Sequence, residues 1–421
     1  MLGELIEKKA RAHELTLADY YSIVDMLMKR GLDKSVMKMF LGLNSFGMTK
    51  REVLYLSQAM RDSGRVLKYN HCIFEKHSTG GIGDATSVVL IPLIASLGYK
   101  IIKTTAKSFV FTNGTADRFG AIPGFKVQLT EKEIEKALDT TNACILSHSG
   151  DMCPADKLLY ELREQCGIEN DINLLAASIA SKKMASGAKV VLVDVKYGDA
   201  SIVKTRAKAE KLADILKYVF KKSGVKSIIV ITNTWQTIGE GIGNAIEVAD
   251  AINVLQGKKC LLRDVSIQYA TEMILAAEPK LKKEDVIDMV AMALDNGTAY
   301  SRFLEIVKAQ GGDKQLVADA KLFQPYQSTN FVADREGYVG NINSLMLGEL
   351  TRRLCEDSHD GNIGAVLRVK IGDYVRPGDI IVSFYYKDKE DFEKYREAIA
   401  GCVRITNTEI KPVKVITKVI R

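Results

Sequence analysis

CIFEKHSTGGIGDATSVVLIPLIASLG, residues 72–98, decides how this chain folds. Cys72 to Glu75 reads as a short strand. Thr86 to Leu97 reads as an apolar helix closed by Gly98, and the glycine-rich turn KHSTGGIGDATS, Lys76 to Ser87, joins the two. A β-branched strand, Lys100 to Thr105, follows at once. Val190 to Val195 and Ser227 to Thr232 are further buried-strand candidates, each followed by helical sequence. Strand alternating with helix in this order predicts a largely parallel sheet with helices on its faces.

The turn has the parts of an anion cradle. Gly80, Gly81 and Gly83 let backbone N–H groups come close to a ligand. Ser78, Thr79, Thr86 and Ser87 add hydroxyl donors, and Lys76 adds a countercharge. The following helix points its N-terminal dipole at the same spot. There is no Gly-Lys-Ser/Thr ending, so this is not a P-loop. Gly81-Ile82-Gly83 lacks the third glycine of a dinucleotide fingerprint, and Gly239-Glu240-Gly241-Ile242-Gly243-Asn244 breaks the same way. A glycine loop alone is as often a packing turn; the flanking lysine and hydroxyls favour phosphate. His77 reads either as a hydrogen-bonded loop histidine or as an acid or electrostatic helper beside the phosphate. Thr112-Asn113-Gly114-Thr115 either closes the far side of the anion site or is an ordinary turn.

Residues 1 to 65 read as helical throughout. Leu17, Tyr20, Ile23, Val24 and Leu27 repeat at helical spacing up to Gly31, and a second helix runs from about Lys34 to Leu43. Thr49, three residues before Glu52, makes a capping box that opens a third helix ending at Ser63-Gly64. Ala155 to Ala185 is helical again, broken at Asp171 to Asn173, which predicts a segment returning to the N-terminal helices. Gly364 to Tyr386, GAVLRVKIGDYVRPGDIIVSFYY, reads as compact antiparallel β. The expected organisation is a helical domain (1–65 and 155–185), an α/β domain (66–154 and 186–330) and a C-terminal α+β subdomain (331–421). The fold class is therefore α/β plus all-α.

A chain of 421 residues with 47% apolar content fits two or three domains. The net charge of +7 arises from 59 basic and 52 acidic residues, a mixed surface without the single basic face of a nucleic-acid binder. The mild excess suits a small anionic substrate. The seven cysteines form no CxxC pair, as expected of reduced thiols in a cytoplasmic protein without a metal cluster. The N-terminus is charged from Glu4 onward, and Val88 to Leu97 is too short to span a bilayer, so no membrane partner is expected.

Together the motifs resemble the thymidine and pyrimidine-nucleoside phosphorylases of the long, two-domain type. KHSTGGIGD is similar to their signature. GMTKREVLYLSQAM (47–60), NGTADRFGAIPGF (113–125), CPADKLLYELR (153–163), AASIASKK (176–183), VLVDVKYG (191–198), GNAIEV (243–248) and GYVGNI (337–342) follow in the family's order over almost the whole chain. The resemblance implies that Lys76, Ser78, Ser87 and Thr115, with Gly80 and Gly81 in the turn, hold phosphate. It also implies that Tyr160, Arg163, Ser178 and Lys182 hold the pyrimidine, and that His77 faces the base carbonyl. His77, Arg163 and Lys182 are then the catalytic set. Phosphorolysis passes through an oxocarbenium-like sugar and an anionic leaving base, and cations at the base carbonyl and imide stabilise that charge. Ser178 and Lys182 lie four apart and Tyr160 and Arg163 three apart, each pair on one helical face.

The family further implies a cleft that closes for reaction, a homodimer through the helical domain, no cofactor, and inorganic phosphate as co-substrate. Some bacterial members carry a monovalent cation near the equivalents of Gly83 and Glu247; Ala85 here, where a hydroxyl ligand often occurs, argues against that ion. The segment that usually reads SGRGLGHTGGT is TAKSFVFTNGT, Thr105 to Thr115. Lys107 replaces an arginine, which is not conservative where a planar fork is used. Phe109 and Phe111 replace a leucine and a histidine on the sugar side and count as substrate-binding positions. This rewriting points to ribose or a modified ribose rather than plain deoxyribose. The family's GSGAF is here Gly198 followed by Asp199-Ala200-Ser201-Ile202, so an aromatic at the base's carbon-5 edge is lost. Two alternatives stand beside this reading: an anthranilate-type phosphoribosyltransferase, towards which Asn113 to Ala116 drifts, and a non-catalytic nucleoside-binding relative.

Overall fold

A computed structural model describes residues 2–105, 114–147, 151–168, 170–358 and 362–421. Four helices open the chain: α1 (Leu2–Ala10), α2 (Leu17–Arg30), α3 (Lys34–Ser45) and α4 (Lys50–Asp62). The Thr49–Glu52 capping box forms as its spacing predicts, and Thr16 with Asp19 makes a second one at α2.

The chain then alternates as β1 (Ile73–Ser78), α5 (Thr86–Ser96), β2 (Lys100–Thr105), α6 (Thr115–Gly120), α7 (Glu131–Thr141) and β3 (Ala143–Ser147). Two helices, α8 (Pro154–Gln165) and α9 (Ile172–Ala185), interrupt the alternation and pack against α2 and α4. It resumes with β4 (Val190–Tyr197), α10 (Arg206–Lys222), β5 (Lys226–Asn233), β6 (Gly241–Ile242), α11 (Asn244–Leu255), α12 (Leu261–Ala277), α13 (Lys283–Asp295) and α14 (Thr298–Ala309). The remaining strands are β7 (Gln327–Val332), β8 (Gly337–Ile342), β9 (Gly364–Leu367), β10 (Tyr374–Val375), β11 (Ile380–Tyr386), β12 (Val403–Thr406) and β13 (Ile416–Ile420).

The main sheet has the order β13-β5-β4-β1-β2-β3, and β1 to β5 run parallel. The chain builds outward from β1 in one direction and from β4 in the other. The boundary between them is the switch point at which an open α/β sheet leaves a crevice above its carboxyl ends. β4 reads VVLVDVKY and is buried along its whole length, as a central parallel strand must be. α9 and α10 pack against one face of the sheet, and α5 and α12 against the other. α5 is apolar on every side because the sheet, α12 and α14 enclose it.

Two smaller antiparallel sheets, β10-β8-β12 and β6-β9-β11-β7, form the C-terminal part with the helix Ser344–Ser358. The elements near the expected 331–421 block reach across its bounds in two places. β7 begins at Gln327, before that boundary. β13 leaves the block and pairs antiparallel with β5, covering what would otherwise be an open edge of the main sheet. Among the described residues no helix is long and apolar enough to cross a membrane.

Candidate functional site

β1 delivers its side chains to both faces in turn. Phe74 lies in the apolar core with α5, and Ile73 lies in the core shared with α4 and α9. Lys76 and Ser78 thus point to the α5 side, and Glu75 and His77 to the α9 side. One six-residue strand supplies both halves of the crevice.

On the α5 side, Lys76 is wholly buried. Its Nζ donates to Thr86 Oγ1 at 2.7 Å and to Ser87 Oγ at 3.1 Å. A hydroxyl that accepts from an ammonium keeps its own proton for a third atom, so Ser87 Oγ can still donate. Asp84 closes the turn. It takes the Ser78 hydroxyl at 3.0 Å and lies 3.3 Å from Lys196 Nζ. Lys196 also forms a very short contact with Asp194. Although burial pushes its carboxyl up, Lys196 and Lys76 hold Asp84 well below the usual carboxylate range. Gly80 sits at φ 93°, and a Cβ on Gly81 would come within 2.9 Å of Lys196 Cδ, so the turn needs glycine at both. Thr115, the first residue of α6, is buried. Thr105 Oγ1 at the end of β2 accepts from Ala116 N at 3.2 Å and fixes the start of α6 beside the strand ends. The cradle therefore offers buried cations, hydroxyls and the start of α5 to an anion at the switch point.

On the α9 side the charges are arranged differently. Lys183 Nζ meets Glu75 Oε1 at 2.6 Å and Thr104 Oγ1 at 2.7 Å, all buried, and ties α9 to the sheet. One residue earlier, Lys182 Nζ donates to Ser178 Oγ at 2.7 Å and to Asp156 Oδ2 of α8 at 2.5 Å. Ser178 and Lys182 thus share one face of α9. Arg163 is buried on α8 and Tyr160 is half-buried one turn earlier on the same helix, which packs against α9. His77 is half-buried between the halves. Its imidazole is held well below the usual histidine range by desolvation, and then by Lys183, Lys103, Lys182 and Lys76. It is therefore neutral at pH 7 and can donate one N–H.

The positions that sequence reading singled out thus fall into two clusters, Lys76, Ser78, Ser87 and the glycine turn on one side and Ser178 with Lys182 on the other. Phe109 and Phe111 lie outside the described residues. Sequence reading missed Asp84, although it sits inside the quoted loop, and it missed Asp156, Glu75, Lys183 and Lys103. It also missed Asp194 and Lys196. Two charges two residues apart in an otherwise apolar strand were the available signal.

Residues 70–300 match the description "Glycosyl transferase family, a/b domain". The chain is 32% identical over 420 residues to a pyrimidine-nucleoside phosphorylase of Geobacillus stearothermophilus, covering 97% of each. It is 30% identical over 433 residues to one of Staphylococcus aureus, covering 99% of each. In fold it is similar to an anthranilate phosphoribosyltransferase of Thermus thermophilus, with a TM-score of 0.59 and 17% identity over 72% of this chain and 98% of the other.

Proposed function

We propose that this chain, which belongs to the pyrimidine-nucleoside phosphorylase family, carries out reversible phosphorolysis of a pyrimidine nucleoside to free base and a pentose 1-phosphate. The observation that carries this reading is the division of β1, with an anion cradle on one face and a basic, hydrogen-bonding pair of helices on the other. Phosphate is held by Lys76, Ser78, Ser87 and Thr115 around the glycine turn. It attacks the anomeric carbon from the side opposite the base. As the glycosidic bond breaks, negative charge moves into the pyrimidine. Arg163 and Lys182 stabilise it at the ring carbonyl and imide, with Ser178 and Tyr160 fixing the ring. The neutral His77 donates its N–H to the base carbonyl, a role that protonation would not improve once Lys182 and Arg163 carry the charge.

Inorganic phosphate is the co-substrate, and no organic cofactor enters the reading. The carboxylates around the cradle are engaged by cations, Asp84 and Asp194 by Lys196, and Glu247 by Arg118 at 2.5 Å. This favours phosphate over the metal-bound diphosphate of a phosphoribosyltransferase. Phe109 and Phe111 direct the sugar preference to ribose or a modified ribose. A homodimer through the helical domain belongs to the reading, supported by the exposed apolar side chains of Tyr21, Met28 and Leu41 there. So does a cytoplasmic setting, supported by seven free thiols.

The test is base release from uridine, deoxyuridine, thymidine, cytidine and 2′-modified uridines, with and without inorganic phosphate. Release that requires phosphate, fastest on ribo or modified substrates, is expected. No release with phosphate present overturns the phosphorylase reading. Equal turnover of thymidine and uridine overturns the sugar preference alone.

A further inference from the structure

The loop 234–243 after β5 lies against the phosphate turn. Gly239 N donates to Gly83 O at 2.9 Å. Gly83 sits at φ 63°, and a Cβ there would come within 2.7 Å of Thr237 Cβ, so the two segments touch with no room between them. The loop is held from its other side by the C-terminal part of the chain. Ile371 N donates to Gln236 Oε1 at 2.9 Å. Lys370 reaches further in. Its Nζ donates to Gly239 O at 2.8 Å, to Thr237 O at 3.2 Å and to Thr237 Oγ1 at 3.3 Å. Three oxygens, two of them backbone carbonyls, thus converge on one positive charge. Asp250 stands behind them, with Oδ2 accepting from Glu240 N at 2.8 Å.

Converging carbonyls of this kind replace the hydration shell of a monovalent cation. A monovalent ion between Gly83 and Glu247 does not fit the residues here. The Gly83 carbonyl is taken by Gly239 N, the Glu247 carboxylate by Arg118, and Ala85 offers no hydroxyl. We propose that Lys370 is a built-in cation. Its ammonium fills the carbonyl cage of Thr237 and Gly239 in place of a monovalent metal ion, and through it the C-terminal part of the chain sets the position of the phosphate turn. Lys370 acts through Gly239 and Gly83 rather than on substrate, so it is a positioning residue. That it serves phosphorolysis rests on the function proposed above; the cation substitution itself does not.

The test therefore reads melting temperature and calorimetric Kd for inorganic phosphate instead of turnover. Wild type, Lys370→Met and Lys370→Ala are compared in choline, potassium and ammonium chloride at equal ionic strength. Wild type is expected to melt and bind phosphate alike in all three salts. Both variants are expected to bind phosphate about tenfold more weakly in choline, a typical coupling between sites, and to recover affinity and melting temperature in potassium or ammonium. Higher wild-type stability or affinity in potassium than in choline overturns the proposal, because a separate ion site then exists. So do variants that match wild type, or a deficit that neither cation reduces. If the variants do not fold, the wild-type salt comparison decides alone. Failure of the phosphorylase reading would appear separately, as phosphate binding without base release.

Discussion

The α9 side of β1 treats charge in two ways, and consecutive lysines on α9 make the contrast sharp. Lys183 is sealed against the sheet, 1% exposed, with Glu75 at 0%. Lys182 keeps 16% of its side chain exposed beside Asp156 at 13%. The first is an interior ion pair, with Lys103 as a further buried cation near Glu75. The second is nearer to solvent, although Ser178 beside it is buried. Buried pairs are costly to break because the survivor stays charged and unpaired; the cost falls as the pair becomes exposed to solvent. The sheet-facing charges therefore hold the architecture, and Lys182 is the one of the two that the proposed function assigns to substrate.

The largest expected effect tests the first half of that contrast. Lys183→Met removes the ammonium bonded to Glu75 in the core and should lower unfolding free energy by about 3–5 kcal/mol, measured by guanidinium denaturation. A loss near that of an ordinary surface substitution would show that Thr104 and Ser186, which also bond Glu75, carry the carboxylate without the lysine. The comparison would then fail at its firmer end.

Lys182→Met tests the other half. It should reduce kcat/KM for the nucleoside by about 10²–10³-fold, the usual cost of removing one donor aimed at developing negative charge. Stability should fall by less than it does for Lys183→Met, because this pair is nearer to solvent. Steady-state kinetics and denaturation on the same preparation separate the two quantities. A variant that loses stability as severely as Lys183→Met while keeping its turnover would reverse the assignment of roles.

Much of this arrangement is legible in the sequence. The strand–turn–helix at 72–98, the parallel alternation and the N-terminal helices follow from periodicity, glycines and caps, all local signals. The side chains grouped around the glycine turn follow from the chemistry of an anion. The pairings that make the cluster work were not legible, because Lys183 with Glu75 and Lys182 with Asp156 join residues 108 and 26 positions apart. Packing of α9 against β1 brings the first pair together, and packing of α9 against α8 the second. β13 was illegible for the same reason. Its sequence fits any antiparallel edge, and the partner it covers, β5, lies far back in the chain. Asp194 and Lys196 differ, since their period-two spacing in an apolar strand already marks charges turned to one buried face.

The smallest expected effect concerns His77, where the two faces meet. Desolvation and the surrounding lysines keep its imidazole neutral in the folded chain, whereas the unfolded chain takes up a proton as pH falls through about 6.5. Below that pH the unfolded state binds more protons, so stability drops on acidification; above it the contribution is level. One group limits the slope to about 1.4 kcal/mol per pH unit. Subtracting the stability profile of His77→Gln from that of wild type should leave a curve that is flat from pH 7 to 8 and declines below pH 6.5. The same neutrality predicts that kcat carries no ionisation limb from His77 between pH 6 and 8. A difference curve that rises on acidification would mean that the folded chain binds the proton more tightly than the unfolded one. His77 would then be an imidazolium beside the lysines, and the base would leave with the help of a charge instead of a hydrogen bond.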